Sequence, residues 1–235
     1  QADERTRGAV AELGRYLGLK KAPYRMECFD ISHMQGSETV ASMVVFEGGV
    51  AKKSDYRRFK IRSAEGKPDD FKSMREVTTR RYGAPDAEMP DLIVIDGGKG
   101  QLSSALEIIR GAGHLLVPVV GLAKREEEVF REGESEPVIL PRDSQALFLI
   151  QRIRDEAHRF AITYHRRLRG KRNMVSVLDH IEGIGPKRRQ LLYEHYGELE
   201  KIKEASVEEM AGLDGMNRPA AEAVYNFFLA QRNLR

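Results

Sequence analysis

Two rhythms of apolar residues alternate along this chain. Val10, Leu13, Leu17 and Leu19 recur at helical spacing, so residues 5–19 are predicted to form a lead-in helix that closes at Lys20-Lys21-Ala22-Pro23. Three extended segments follow: Tyr24 to Ile31, Glu38 to Phe46 with Val40, Ser42, Val44 and Phe46 on one side, and Ala51 to Arg62 after the Gly48-Gly49 turn. In the third, Arg58, Lys60 and Arg62 alternate with Phe59 and Ile61, which gives one core face and one basic face. From there helices and buried strands take turns. Asp69-Asp70 opens a helix to Tyr82, ended by Gly83, and Leu92 to Ile95 is apolar on both faces, as a central parallel strand requires. A helix over 101–110, a strand over 117–122, a hairpin over 128–140 around Glu132-Gly133-Glu134, and a long helix over 144–168 complete the series. In the last, Ile150, Ile153, Ala157, Phe160, Tyr164 and Leu168 share one side. The pattern is that of an α/β domain with a mixed sheet flanked by helices.

Two acids break the apolar strands at their ends, Asp30 in Met26-Glu27-Cys28-Phe29-Asp30-Ile31 and Asp96 in Leu92-Ile93-Val94-Ile95-Asp96-Gly97. A carboxylate among hydrophobic side chains costs several kcal/mol unless its charge is compensated, and a bound cation does this well. The pair is a candidate metal site. An Asp before Gly-Gly also serves as a turn or capping residue, and Asp69 and Asp70 cap the helix they precede unless Asp70 reaches the metal. Ser32 and His33 sit on opposite faces of a strand and form no nucleophile and base pair. Asp96-Gly97-Gly98-Lys99-Gly100-Gln101 lacks P-loop spacing, and Ser103 stands where a dinucleotide fingerprint has its last Gly. The glycines there are read as a tight turn beside the site, with Lys99 meeting a DNA phosphate.

Beyond Met174 the chain changes character. Ile181-Glu182-Gly183-Ile184-Gly185-Pro186-Lys187-Arg188-Arg189 resembles a helix-hairpin-helix: glycines aim backbone N–H groups at a phosphate, Pro186 fits the first helical turn, and Lys187 and Arg188 add charge. A second copy, Leu213-Asp214-Gly215-Met216-Asn217-Arg218-Pro219, replaces the last Gly with Asn217, which is expected to take the left-handed backbone in its place. The alternative is a small helical bundle in which one hairpin matters. Such motifs grip the DNA backbone without reading bases.

Composition narrows the setting. At 235 residues and 41% hydrophobic, the chain can build a substantial core, and its single cysteine excludes a disulfide framework. No run approaches the roughly 18 apolar residues of a membrane span, so a cytoplasmic location is expected. The start, Gln1-Ala2-Asp3, is no signal peptide, and the missing initiator Met suggests an excised fragment. The net charge of +3 is unevenly spread: residues 159–172 carry six Lys or Arg and no acid, and residues 52–62 carry six against Asp55 alone. Such stripes suit a phosphate backbone or are simply solvated faces. Residues 175–235 hold 8 basic against 10 acidic side chains, so that module would bind DNA locally, through hairpin amides and a few cations.

The order of elements, with acids ending the first and fourth strands, resembles the RNase H-like nuclease fold, in which the last helix adds a third group. Asp155, Glu156 and His158 are the candidates here, and residues three apart share a helical face, so Asp155 and His158 go together. The strings Glu27-Cys28-Phe29-Asp30-Ile31-Ser32-His33, Ile95-Asp96-Gly97-Gly98-Lys99-Gly100-Gln101 and Arg152-Ile153-Arg154-Asp155-Glu156-Ala157-His158-Arg159-Phe160-Ala161 resemble the C-terminal half of the UvrC family of bacterial excision repair nucleases. The resemblance implies an RNase H-like endonuclease domain over 1–172, whose last fourteen residues are a basic helix end and linker, and a tandem helix-hairpin-helix domain over 175–235. It further implies incision 5′ to a lesion by a catalytic Asp30, Asp96 and His158 set. Asp30 and Asp96 would bind Mg²⁺ or Mn²⁺, with His158 as base or ligand; its lower negative charge favours one ion over two. Gly183, Ile184, Gly185, Lys187, Arg188, Gly215, Asn217 and Arg218 would meet damaged duplex DNA. A UvrB-type partner would dock mainly on the absent N-terminal half, and the fragment would be monomeric. The rival readings are another RNase H-like enzyme, such as a junction resolvase or transposase, and a non-catalytic DNA-binding scaffold.

Overall fold

A computed structural model describes residues 2–34, 38–63, 69–125 and 127–233, and it divides into two compact units, residues 1–162 and 163–235. The first is built on one mixed sheet. Helix α1 (Ala2–Tyr16) leads to β1 (Arg25–His33), β2 (Thr39–Glu47), the two-residue β3 (Val50–Ala51) and β4 (Arg57–Ile61). Then come α2 (Asp70–Tyr82), β5 (Leu92–Asp96), α3 (Gly98–Gly111), β6 (Val119–Leu122), β7 (Glu128–Arg131), β8 (Val138–Ile139) and α4 (Gln145–Asp179). The strand order is β3-β2-β1-β5-β6-β7-β8, with β4 also paired to β2. The central strands β1, β5 and β6 are parallel, and β2 runs antiparallel to β1.

Strand parity decides which face each side chain serves. Met26, Cys28, Leu92 and Val94 belong to the core shared with α1 and α4, through Leu13, Ile150 and Ile153. Phe29, Ile93 and Ile95 belong to the opposite core, with Met74, Val77 and Tyr82 of α2 and Leu102 and Ile109 of α3. Side chains such as Leu13, Phe29, Leu92 and Ile95 are wholly buried, and each contributes about 1.5–3 kcal/mol relative to exposure. Asp30 and Asp96 continue the even positions of their strands. The register pairs Phe29 with Ile95, so the two acids follow side by side on the α4 face.

Three expectations need correcting. The third extended segment is not continuous: after β3 a 3₁₀ turn (Lys53–Asp55) intervenes before β4. Arg25 holds Asp55 at 2.6 Å and Glu47 at 2.9 Å, fastening that turn to the sheet. Helix α3 begins at Gly98 rather than residue 101, so the glycine run is not an open loop. Gly98 sits at φ +79°, a backbone that favours glycine, and a Cβ on Gly100 would lie 2.6 Å from the Phe71 ring, which would have to turn aside. Finally, α4 continues past Leu168 and through the expected linker to Asp179, since one interior Gly170 costs only about 1 kcal/mol against the many good helix formers around it.

The second unit is all helical. Around the end of α4 lie α5 (Pro186–Tyr196), α6 (Leu199–Glu204), α7 (Val207–Ala211) and α8 (Arg218–Arg232), with Met174, Leu178, Ile184, Leu192, Met210, Val224 and Phe228 in its core. Ser206 and Glu209 form a reciprocal capping box on α7. Among the described residues no helix is long and apolar enough to cross a membrane.

Candidate active site

Strand β1 carries two buried carboxylates, Glu27 and Asp30, which are treated in opposite ways. Glu27 is fully buried and fully partnered: Tyr82 Oη donates to it at 2.6 Å, Arg81 at 2.9 Å and Arg25 at 3.0 Å. Asp30, three residues on and facing α4, is 7% exposed and, among the described residues, meets Ser32 Oγ at 3.5 Å and His158 Nδ1 at 3.6 Å. Burial chiefly, with the neighbouring Asp96 adding to it, lifts the Asp30 carboxyl from 3.8 to about 6 despite the opposing pull of His158. A buried acid left this short of partners at a strand end is what a cation site requires.

Asp96 lies beside it at the end of β5. His158 Nε2 is 2.9 Å from Asp96 Oδ2, and this hydrogen bond is the main reason the imidazole holds its proton above the usual histidine range. One atom each of Asp30, Asp96 and His158 lie within 4.8 Å of one another, a group able to hold a metal ion. Two carboxylate oxygens and an imidazole nitrogen suit a hard or borderline divalent cation. His158, its side chain 49% exposed, is the open side of the site. Cys28 lies beneath it, fully buried, its thiol pushed up by burial and by both acids.

The other helix candidates separate from the site. Glu156 turns to Tyr56 Oη at 3.0 Å and Arg159 at 2.6 Å, while Asp155 is exposed and outside the metal-competent group. Sequence reading passed over Arg154, which reaches Asp96 from one turn before His158; the four-residue spacing is the signal that could have revealed it. Asp70 is occupied on the other face of the sheet. It contacts His33 Nε2, whose other ring nitrogen meets Thr39 Oγ1 at 3.0 Å, and it accepts from Gln101 Nε2 at 3.2 Å. Asp69 caps α2 by accepting from the N–H groups of Phe71 and Lys72, as expected. Lys99 is exposed, donates to the Ser135 carbonyl and lies 4.9 Å over the Phe130 ring.

The basic stripe of 52–62 is more engaged than composition implied. Lys52 pairs with Glu47 and Asp55 at 3.3 Å, Arg58 stacks 3.8 Å over Phe160, and Lys60 lies 3.7 Å from Glu38, while Arg57, Lys60 and Arg62 are exposed along β4 and its end.

In the second unit the first hairpin places Gly183 at φ +86°, a backbone that favours glycine, and Gly185 at the N-cap of α5 with no side-chain cap. The second hairpin corrects the expectation for Asn217. The left-handed residue is Gly215 at φ +96°, while Asn217 is extended at φ −141° and caps α8 by accepting from Ala220 N–H at 2.9 Å. Ile184 is buried, so it anchors the hairpin in the core. Arg188 donates to the carbonyls of Gly183 at 3.0 Å and Gly215 at 3.4 Å and so ties the hairpins together. Lys187 is exposed, and Arg218 pairs with Glu222 at 3.1 Å.

Comparison with known proteins agrees with this fold. Residues 14–162 match the family described as the UvrC RNAse H endonuclease domain, and residues 175–228 match a SAM-like helix-hairpin-helix tandem. The UvrABC system protein C of Desulforudis audaxviator is 47% identical over 238 residues, covering 94% of this chain and 39% of that protein. Its counterpart in Symbiobacterium thermophilum is 48% identical over 249 residues, 93% of this chain and 39% of that protein. The one in Salinibacter ruber is 49% identical over 225 residues, 94% of this chain and 35% of that protein. The chain thus spans well under half the length of these relatives. With a match over most of its residues, the chain belongs to the UvrC family.

Proposed function

We propose that this chain is a Mg²⁺- or Mn²⁺-dependent DNA endonuclease that makes the incision 5′ to a lesion in nucleotide excision repair, in the cytoplasm. The observation that carries this reading is the convergence of Asp30, too buried to ionise freely, with Asp96 and His158. Residues 1–172 act as the nuclease domain and residues 175–235 as the DNA-binding domain. The names of the relatives place them in the UvrABC system, and a UvrB-type partner would engage mainly a part of the protein preceding this stretch. The stretch itself acts as a monomer.

Asp30 and Asp96 would hold the metal ion, with His158 as a third ligand or beside it. A divalent ion there supplies charge stabilisation at the scissile phosphate and lowers the pKa of a bound water. The protein's own groups do the rest. Asp30 and Asp96 are set by adjacent parallel strands, so their separation is fixed by the sheet rather than by a loop. His158, on the open side, accepts or returns the proton of the attacking water, a role that an imidazole, able to gain and lose a proton, can fill. Before the ion binds, a protonated His158 between the two acids serves as their counter-charge.

Substrate grip falls to the second unit. Lys187 and Arg188 N–H groups at the uncapped start of α5, with the Lys187 ammonium, face a phosphate between Gly183 and Gly185, helped by Gly215, Asn217 and Arg218 in the second hairpin and by Lys99 near the site. The test is incubation of lesion-bearing or nicked duplex with Mg²⁺ or Mn²⁺ and the wild type, Asp30→Ala or His158→Ala. Cleavage by the wild type alone is expected. Equal cleavage by all three would end the nuclease reading and leave a DNA-binding scaffold.

A further inference from the structure

Arg154 has no assigned part in the chemistry described so far, yet it is bound to it more tightly than any other cation. Its side chain is 14% exposed, its Nε lies 3.1 Å and its Nη2 3.0 Å from Asp96 Oδ1, and Nη2 also donates to the Ala123 carbonyl at 2.9 Å. Ala123 directly follows β6, the strand next to Asp96's own, so the guanidinium is tethered between a strand end and α4. His158 Nε2 takes the other oxygen, Oδ2, at 2.9 Å. The two Asp96 oxygens therefore face different kinds of group. Oδ2 faces an imidazole that is itself part of the metal-competent group, whereas Oδ1 faces the planar fork of a guanidinium, which has donors and no lone pair to offer an ion.

We infer that Arg154 is a positioning residue that restricts this centre to a single divalent cation by holding Oδ1 of Asp96. In two-metal phosphoryl-transfer sites the ions lie about 3.5–4 Å apart, a separation that a carboxylate spans by giving one oxygen to each. Asp96 cannot give its second oxygen while Arg154 holds it, and a second dication there would lie against a fixed positive charge. Asp30 could share its oxygens between two ions, but the second ion would then find no further carboxylate among the described residues. Glu156 is committed to Tyr56 and Arg159, Asp70 to His33 and Gln101 on the opposite face of the sheet, and Asp155 points outside the group. Arg154 also fixes the direction of the Asp96 carboxylate, so that Oδ2 stays turned toward His158 and Asp30. The single-ion character thus comes from an arginine as well as from the histidine among the ligands.

This inference rests on the metal-centre reading of Asp30, Asp96 and His158, and the experiment separates the two. The full chain is titrated with Mn²⁺ by calorimetry, and electron paramagnetic resonance distinguishes isolated Mn²⁺ from an exchange-coupled pair; circular dichroism checks folding. The wild type is expected to bind one Mn²⁺ per chain with an uncoupled signal. Arg154→Met is expected to bind two, with a coupled signal, and Arg154→Lys, which restores the charge, one. Should Arg154→Met fail to fold, Arg154→Gln is titrated in its place with the same expectation of two. A wild type that binds no Mn²⁺ refutes the metal centre itself. A wild type that binds two ions, or a folded Met or Gln variant that binds one or none, overturns the role given to Arg154 and leaves the metal centre standing.

Discussion

Replacing Asp30 by Asn should make the cation-free protein more stable at neutral pH while removing its response to divalent ions. In the unfolded chain the Asp30 carboxyl releases its proton near its ordinary value of 3.8, and in the fold near 6, because burial outweighs the help of His158. Between those values the folded state binds more protons than the unfolded, so stability falls as pH rises through that window and stays lower above it. Roughly two pH units at about 1.4 kcal/mol each make a cost of about 3 kcal/mol. Asn has the same shape and no charge, so it escapes this cost, which is already net of the attraction to the half-exposed His158, but its amide must still be desolvated. A net gain of about 1–3 kcal/mol remains, which for a unit of this size raises the melting temperature by about 2–10 °C. The assay is thermal unfolding of the full chain in EDTA, followed by circular dichroism from about pH 4 to about pH 8, the range that brackets both titrations. The gap between variant and wild type should open between about pH 4 and about pH 6 and then hold constant. Mn²⁺ at about a hundred times its dissociation constant should add about 2.7 kcal/mol to the wild type and nearly nothing to the variant. A gap that ignores pH, or a variant less stable than wild type at the alkaline end, would show that the Asp30 charge is already compensated inside the fold.

Four further outcomes are expected. Glu27→Ala leaves Arg25, Arg81 and Tyr82 without their shared buried acceptor and should cost about 3–5 kcal/mol in urea unfolding; a loss under about 1 kcal/mol would refute the network as a stability element. His158→Ala should slow cleavage of a lesion-bearing duplex by about 10²–10⁴-fold with DNA affinity unchanged, and a slowing under tenfold would remove it from proton transfer. Gly183→Val, strained at φ +86° by about 1–3 kcal/mol, should weaken duplex binding in fluorescence anisotropy more than Gly215→Val does at φ +96°, because Asn217 already occupies one amide of the second hairpin; the reverse order would sink this ranking. Duplex affinity should fall steeply with salt, and a flat response would count against phosphate gripping by hairpins and exposed cations.

The parts of this molecule that follow from local pattern could be read from the sequence, and the parts set by packing could not. Val10, Leu13 and Leu17 mark their helix face because burial repeats with the helical period, and all three are buried. Alternation along β4 likewise gave the right inward residues, Phe59 and Ile61. The start of α3 was hidden because Gly98 and Gly100 have weak helix propensity; Gly98 sits at φ +79°, a backbone that favours glycine, and Gly100 packs beside the Phe71 ring that tertiary structure brings there. The position of Asn217 was misassigned for a related reason. Asn serves equally as a helix cap and as a left-handed residue, and the choice depends on Gly215 two residues earlier taking the positive φ. The two acids of the metal-competent group were legible because strand ends fix directions in space, and His158 came with the family resemblance; the three-residue spacing misled, since it grouped Asp155 with His158 and Asp155 lies outside, and Arg154 escaped notice because a long side chain's target depends on which strand its helix crosses.

The contrast along β1 explains why Asp30 rather than Glu27 is the acid available to a cation. The two are three residues apart, hence on opposite faces of one strand, and both are nearly inaccessible to water. Glu27 faces α2, whose last turn brings Arg81 and Tyr82 to it, and Arg25 closes the set, so its charge is balanced by hydrogen bonds that an added ion would have to break. Asp30 faces α4, which sends it a single imidazole at 3.6 Å and commits its one nearby arginine to Asp96. A cation arriving at Asp30 displaces a proton or a weakly held histidine, while a cation arriving at Glu27 would displace two guanidinium groups. The same strand therefore presents one fully paired acid and one under-paired acid, both buried, and the difference lies in how many cations the covering helix delivers.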